Sequence, residues 1–152
     1  MLHHIGLFFH IAAIIVVAGG SVGSMLAEAQ LWAKLNSSSG DEKAVLPILM
    51  NAPKLIIAGV IVFLLSGLTM LYAVNWAYLS QPWFIAKLLL FISLPVRGAV
   101  IGKSTIMHIA AELNKPHPDR SILLRLKAKM QRFHIIQFII VAVIVILVIF
   151  KF

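Results

Sequence analysis

The feature that most constrains this chain is a long apolar stretch near its start. It runs from about Ile5 to Trp32 and carries no charged side chain before Glu28. At about 1.5 Å of rise per residue, a helix of that length is more than long enough to cross the ~30 Å hydrocarbon core of a bilayer. No cation precedes it, so we expect a retained transmembrane helix and not a cleavable signal peptide.

The composition agrees with a chain that has lipid as its solvent. Of the 152 residues, 61% are hydrophobic and only 12% are charged, whereas soluble domains carry roughly 25% charged residues. The absence of cysteine excludes disulfides, thiolate metal sites and c-type haem attachment. We therefore expect a multi-pass protein of the cytoplasmic (inner) membrane, and we do not interpret its net charge of +8 as a sign of nucleic-acid binding.

Three further stretches can each form a spanning helix. The second begins near Pro53 and ends near Trp76, and the third runs from Ser80 to about Leu113 with a kink expected at Pro95. The fourth is basic and amphipathic from Ser121 to Arg132 and then apolar to Phe150. Polar connections are predicted at Asn36–Lys43, Asn114–Arg120 and around Asn75–Tyr78. The sequence thus predicts an all-α bundle of four transmembrane helices, forming one domain over residues 1–152.

The distribution of cations predicts the orientation of these helices. Lys151 stands alone on the face that holds both termini and the second connection. The opposite face collects ten cations: Lys34, Lys43, Lys54, Lys103, Lys115, Arg120, Arg125, Lys127, Lys129 and Arg132. Because cytoplasmic connections carry the excess of Lys and Arg, both termini are predicted to be extracytoplasmic. The basic segment before the fourth helix then lies on the inner leaflet, against anionic lipid.

Three residues that can bind a metal are predicted at a similar depth in the outer leaflet. His10, Met70 and Lys87 each lie about one and a half turns from the outer end of their helices. Ionisable residues inside a span are costly and suggest function. The alternatives are a neutral His10 bonded to a neighbouring helix, Met70 as a packing residue, and Lys87 snorkelling to the interface beside Trp83.

Arg97 is the deepest cation, just beyond Pro95. It can reach the inner interface, pair with Glu28 or Glu112, or bind an anion such as a haem propionate. Small residues suggest close helix packing, and the same gap could admit the flat face of a porphyrin. They are Gly19, Gly20, Gly23 and Ser24 on the first helix and Gly98 and Gly102 on the third.

Two short motifs carry a family resemblance. The first helix has His10 followed by an apolar run to Gly19-Gly20, and the third opens with Pro82-Trp83 and continues to Lys87-Leu88. This resembles the group that contains the HemJ-type protoporphyrinogen oxidases, the CopD-type copper-resistance domains and four-span relatives. The resemblance implies that haem b is bound, with His10 and Lys87 as functional residues.

The leading hypothesis is a haem b protein, with His10 as axial ligand and Lys87, Met70 or an open position opposite. Such a membrane haem oxidoreductase could pass electrons between quinol, or a redox partner protein, and an outer-face acceptor. The alternatives are copper handling through His3, His4, His10 and Met70, and a cofactor-free accessory subunit of a membrane complex. A homodimer is one option for the assembly, and stable isolation as a monomer or a simple homodimer would count against the accessory-subunit hypothesis.

Overall fold

The computed structural model describes residues 1–37 and 42–150, and this part of the chain is helical, without a strand. Within it, four helical stretches are long and apolar enough to cross a membrane: Leu2–Ser37, Leu46–Ala73, Pro82–Leu113 and Arg120–Phe150. The prediction of an all-α protein with four spanning helices is therefore confirmed. The helices are α1 Leu2–Ser37, α2 Leu46–Ala73, α3 Pro82–Arg97, α4 Ser104–Leu113 and α5 Arg120–Phe150.

The second helix begins earlier than the sequence predicts. It starts at Leu46, so Pro53 lies inside it and the prediction of a start near Pro53 is wrong. Pro47 occupies the first turn instead, where a missing N–H is tolerated because the first-turn amides have no partner within the helix. A short 3₁₀ turn, Glu42–Val45, precedes α2. The predicted connection Asn36–Lys43 starts later than expected, after Ser37, and its residues 38–41 lie outside the described part.

The end of α2 is also shifted. The helix stops at Ala73, and Asn75 and Trp76 take left-handed backbone conformations with φ of 50° and 62°. There the Trp76 N–H donates to the Leu71 carbonyl at 3.1 Å, and the Asn75 N–H donates to the Tyr72 carbonyl at 3.0 Å. These bonds satisfy carbonyls that would otherwise be unpaired at the helix end.

The third span changes its helical type near the expected kink. The α-helix continues through Pro95 to Arg97, and a π-helical segment follows at Gly98–Lys103 before α4. Proline removes one backbone donor from the helix, which favours a local change in the hydrogen-bond pattern. Such π segments are uncommon and frequently lie at functional sites.

The chain divides into two compact units, Met1–Met70 and Leu71–Phe152. In the first unit, small residues bring α1 and α2 together. A Cβ added at Gly6 would lie 2.8 Å from Thr69 Oγ1, and one added at Gly59 would lie 2.8 Å from Val17 Cγ2. The small or buried positions recur every seven residues, which keeps them on one helix face: Gly6, Ala13, Gly20 and Ala27 on α1, and Gly59 and Ser66 on α2.

The second unit packs the third span against α5. A Cβ at Gly102 would lie 3.3 Å from Phe133 Cζ, so this glycine allows the aromatic ring to approach the π segment closely. The buried apolar residues of the unit include Ile106, Ile109, Leu113, Leu123, Met130 and Phe133. The prediction of a single domain over residues 1–152 stays a prediction.

The connection between α4 and α5 is organised by one carboxylate. Glu112 is buried; it accepts a hydrogen bond from Lys115 Nζ at 2.7 Å and one from the Asp119 N–H at 2.9 Å. Asp119 in turn accepts a hydrogen bond from the Ser121 N–H at 2.7 Å, which is the geometry of a helix N-cap. The start of α5 is thus tied to the end of α4.

Candidate functional site

His10 is held by a hydrogen bond from α1 to α2. Its Nδ1 lies 3.0 Å from Ser66 Oγ, and the Ser66 hydroxyl donates to the Phe63 carbonyl at 2.9 Å. A serine hydroxyl has one proton, so with that proton given to the Phe63 carbonyl, Ser66 can accept a hydrogen bond from His10 Nδ1–H. A neutral ring with its proton on Nδ1 would carry its lone pair on Nε2.

Two other residues of α2 fix the orientation of the His10 ring. The ring of Phe63 lies 3.9 Å from it, centroid to centroid, at an angle of 31°. A Cβ at Gly67 would be 3.5 Å from His10 Cε1, so the ring lies directly against this part of α2. Phe63, Ser66 and Gly67 share one face of the helix because they are three and four positions apart. The predicted alternative, a neutral histidine bonded to a neighbouring helix, agrees with this geometry.

Met70 lies one turn beyond Ser66 on α2 and packs against α1. Its Cγ is 2.9 Å from the position that a Cβ would take at Gly6, which is itself one turn before His10. The contact agrees with the packing role considered for Met70 as an alternative to ligation. Its role as an axial ligand stays a prediction.

Lys87 belongs to the second unit, where it contacts two aromatic rings at the start of α3. Its Nζ lies 4.6 Å from the ring centroid of Phe84 and 5.7 Å from that of Trp83. Both distances fall within the range of cation–π interactions. The side chain thus turns toward the N-terminal end of its helix, as expected for a lysine that snorkels beside Trp83. The prediction that Lys87 binds a cofactor is not tested by these contacts.

The glycines predicted to bring helices together behave differently from one another. A Cβ at Gly20 would lie 3.0 Å from Ile56 Cγ1, so this glycine contributes to the contact between α1 and α2. At Gly19, Gly23 and Gly98, a Cβ would have no atom of the described residues within 4 Å. Of the predicted glycines, Gly20 and Gly102 are thus closely packed against described residues, and a cofactor beside Gly19 and Gly20 stays a prediction.

Arg97 is the last residue of α3, and the Nε atom of its side chain lies in a buried position. This atom has no hydrogen-bond partner among the residues that the structure describes. Glu112, one of the two carboxylates considered as a partner, accepts hydrogen bonds from Lys115 Nζ and from the Asp119 N–H, and its pairing with Arg97 stays a prediction. Glu28, the other carboxylate considered, accepts a hydrogen bond from Trp32 Nε1 at 3.1 Å.

The remaining histidines do not form a metal cluster. Over residues 1–37 and 42–150, there is no group of three or more His, Cys, Asp or Glu side chains that could hold a metal ion. His3 and His4 are exposed and meet edge to face at 5.9 Å between ring centroids. The ring of His108 donates from Nδ1 to the Ser104 carbonyl of its own helix at 2.7 Å.

Phe63, Ser66 and Gly67 were not predicted as neighbours of His10. The sequence did indicate Ser66, because Ser66 and Thr69 are the polar residues in the apolar run from Ile56 to Leu71. Ser66 also lies about two turns from the outer end of α2, close to the predicted depth of His10. Matching the depth of polar residues between adjacent spans would have paired the two.

A family model described as a predicted integral membrane protein (DUF2269) matches residues 5–152. No curated protein matches the chain, and no solved structure does. The match does not group the chain with the HemJ-type or CopD-type proteins that its motifs resemble. Because the match covers nearly the whole chain, and because four helices are apolar enough to span a bilayer, the protein is a multi-pass integral membrane protein that belongs to the DUF2269 family.

Proposed function

We propose that this protein binds haem b through His10 Nε2 and serves in electron transfer in the outer half of the membrane. One observation carries the proposal: the hydrogen bond between His10 Nδ1 and Ser66 Oγ, with the Ser66 hydroxyl bonded onward to the Phe63 carbonyl. Histidines that bind metals characteristically donate their second ring N–H to a protein acceptor, which fixes the tautomer and raises the basicity of the ligating nitrogen.

The residues around His10 fit an axial ligand in three respects. A neutral imidazole with its proton on Nδ1 would offer the lone pair of Nε2, the ring contacts both Ser66 and Phe63, and its neighbours on α2 include the apolar Phe63 and Gly67. The contacts at Gly6, Gly20 and Gly59 close the space between α1 and α2. A macrocycle would consequently lie on a flank of the first unit and not between these two helices.

When bound, haem b would supply reversible one-electron chemistry. The chain would contribute His10 as ligand, Ser66 as the group that positions it, and Phe63 as an apolar neighbour that keeps water from the ring. Met70 and Lys87 stay the predicted candidates for a further ligand. The electron donor would be quinol or a redox partner protein.

An absorption spectrum tests the proposal. Full-length protein purified from cells that are supplied with a haem precursor is expected to show a Soret band, which His10→Ala abolishes. His134→Ala, which removes a histidine of the second unit, is the matched control and should keep the band. Colourless protein that binds no added haem, or an unchanged spectrum in His10→Ala, would refute haem binding.

Metal analysis of the same preparation separates the other hypotheses. Stoichiometric copper without a Soret band would replace the proposal with copper handling by His3, His4, His10 and Met70. Colourless, metal-free protein that co-purifies with a larger complex would replace it with an accessory role.

A further inference from the structure

A basic cavity of about 430 Å³ lies within the second unit, between the end of α3 and the first half of α5. Four of its lining residues are cations: Arg97, Arg125, Lys129 and Arg132. Three of these follow the helical spacing of one face, because residues 125, 129 and 132 are four and three positions apart. The α5 helix thus presents a row of positive charge to the cavity, and Arg97 completes it from α3.

None of the described residues that line this cavity is a carboxylate. The only acidic residues of the sequence after Leu71 are Glu112 and Asp119. Glu112 bonds with Lys115 and with the Asp119 N–H, and Asp119 caps α5 through Ser121. Both acids are therefore engaged in the connection between α4 and α5, and the four cations meet no carboxylate among the lining residues that the structure describes.

Arg97 provides an independent sign of a missing partner. Its Nε is buried without a hydrogen bond to any residue in the described part of the chain. An unsatisfied buried donor is costly, and the cost is greater for a charged group. An anion in the cavity would satisfy this donor.

The position of the cavity along the helices corresponds to the inner boundary of the bilayer. At about 1.5 Å per residue, Arg97 lies about 22 Å from Pro82, the outer start of its span. Arg132 lies about 27 Å from Phe150, the predicted outer end of α5. For a hydrocarbon core of ~30 Å, both distances place the cations near the level of the inner headgroups.

The rest of the cavity wall is apolar. Ile101, Phe133 and Ile136 lie beside the cations, with Ile136 one turn further into the apolar part of α5 than Arg132. A free phosphate would use only the cations, whereas a phospholipid would use both parts of the wall. We propose that this cavity binds one anionic phospholipid of the inner leaflet, with its phosphate at Arg97, Arg125, Lys129 and Arg132 and an acyl chain against the apolar residues.

Native mass spectrometry of the full-length protein in detergent tests the proposal with phosphatidylglycerol as the anionic lipid. The wild type is expected to retain phosphatidylglycerol in preference to phosphatidylcholine. Loss of one charged hydrogen-bond partner in Arg97→Gln should weaken phosphatidylglycerol binding about tenfold. Arg125→Gln, at an exposed position that cannot be required for packing, should also weaken it.

Lys103→Gln and Arg120→Gln are the matched controls. Each removes one exposed cation of the same unit outside the cavity lining, and each should leave phosphatidylglycerol binding within about twofold of the wild type. Equal retention of the two lipids, or equal loss of affinity in the controls and the cavity variants, would overturn the proposal. Displacement of the lipid by millimolar inorganic phosphate would overturn it in favour of a soluble anion.

Discussion

Two hydrogen-bonded side chains show how single residues act in this protein. His10 carries the only polar side chain of the sequence between Ile5 and Gly20, and its ring is positioned by Ser66 from the neighbouring helix. Asp119 lies outside the spans and organises the first turn of α5 through Ser121. The first contact bears on the proposed cofactor, and the second on the stability of the fold.

Ser66→Ala tests whether the bond to His10 serves a ligand. Removing the acceptor of Nδ1–H should lower haem affinity by about 10 to 100-fold, the usual effect of losing a partner of a metal-binding histidine. Titration of the apoprotein with haem, followed by absorbance, measures the change. Ser93→Ala is the control, because the Ser93 hydroxyl bonds within its own helix, to the Leu90 carbonyl. Equal affinity in both variants would show that Ser66 has no such role.

The carboxylate of Asp119 is expected to make the stability of the folded protein depend on pH. Hydrogen bonds from Ser121, through its hydroxyl and then its backbone N–H, hold the pKa of Asp119 below the ordinary value of an aspartate. A lowered pKa in the folded state means that the stabilisation is complete above the ordinary pKa. It is lost as the pH falls through that value and then through the lower pKa of Asp119.

Asp119→Asn isolates this effect, because asparagine also caps helices but does not titrate. The unfolding temperature of the wild type should exceed that of the variant near neutral pH. The difference should shrink steadily in acid. A difference that stays constant down to the acid limit would contradict the assigned role of the carboxylate.

At the level of the elements, the contact between α1 and α2 depends on small residues seven positions apart. Gly59 is one of the two tightest positions, with Gly6, and it meets Val17, whose branched side chain has one preferred rotamer in a helix. Val16 Cγ1 would also lie 3.2 Å from a Cβ at Gly59. A Cβ at Gly59 therefore requires a shift of Val17 or of the backbone.

Gly59→Ala is therefore expected to destabilise the protein by about 1–3 kcal/mol through overpacking. Gly19→Ala is the matched substitution, with no atom of the described part of the chain within 4 Å of the new Cβ. It should leave stability unchanged or raise it by up to about 1 kcal/mol, since alanine is the better helix former. Thermal unfolding in detergent compares the two, and equal effects would refute the contact.

The elements also show what the sequence could predict. Long apolar runs identified all four spans, because every bilayer-crossing helix needs about 20 apolar residues. The start of α2 was misplaced because Pro47 and Pro53 each suit a first turn, and sequence alone does not say which one has that role. The glycines illustrate a second limit: Gly19 and Gly20 are adjacent, but only Gly20 contacts α2, since neighbouring residues point about 100° apart on a helix.

For the whole molecule, the distribution of cations predicts one orientation in the membrane. The connection after α4 carries Lys115 and Arg120, whereas the connection between α2 and α3 has no cation. Positive charge is retained on the cytoplasmic side. The number of spans follows from hydropathy, but the partners of Arg97 and His10 depend on which helix faces meet, and hydropathy does not contain that information.

Single cysteines can test the orientation directly, since the natural chain has none. A membrane-impermeant maleimide added to intact cells should label Ser80→Cys, in the predicted outer connection. Asn114→Cys, in the predicted cytoplasmic connection, should be labelled only after permeabilisation. Labelling of Asn114→Cys in intact cells would reverse the orientation and would place the basic cavity at the outer leaflet.

The Glu112 carboxylate has a consequence for how the protein is made. It is bonded to Lys115 three residues later and to the backbone of Asp119 seven residues later. The turn between the last two membrane crossings can therefore close on itself as soon as it is synthesised, with the acid already neutralised by a nearby amine. This local contact would let the last two transmembrane helices leave the translocation machinery together as a helical hairpin and not one after the other.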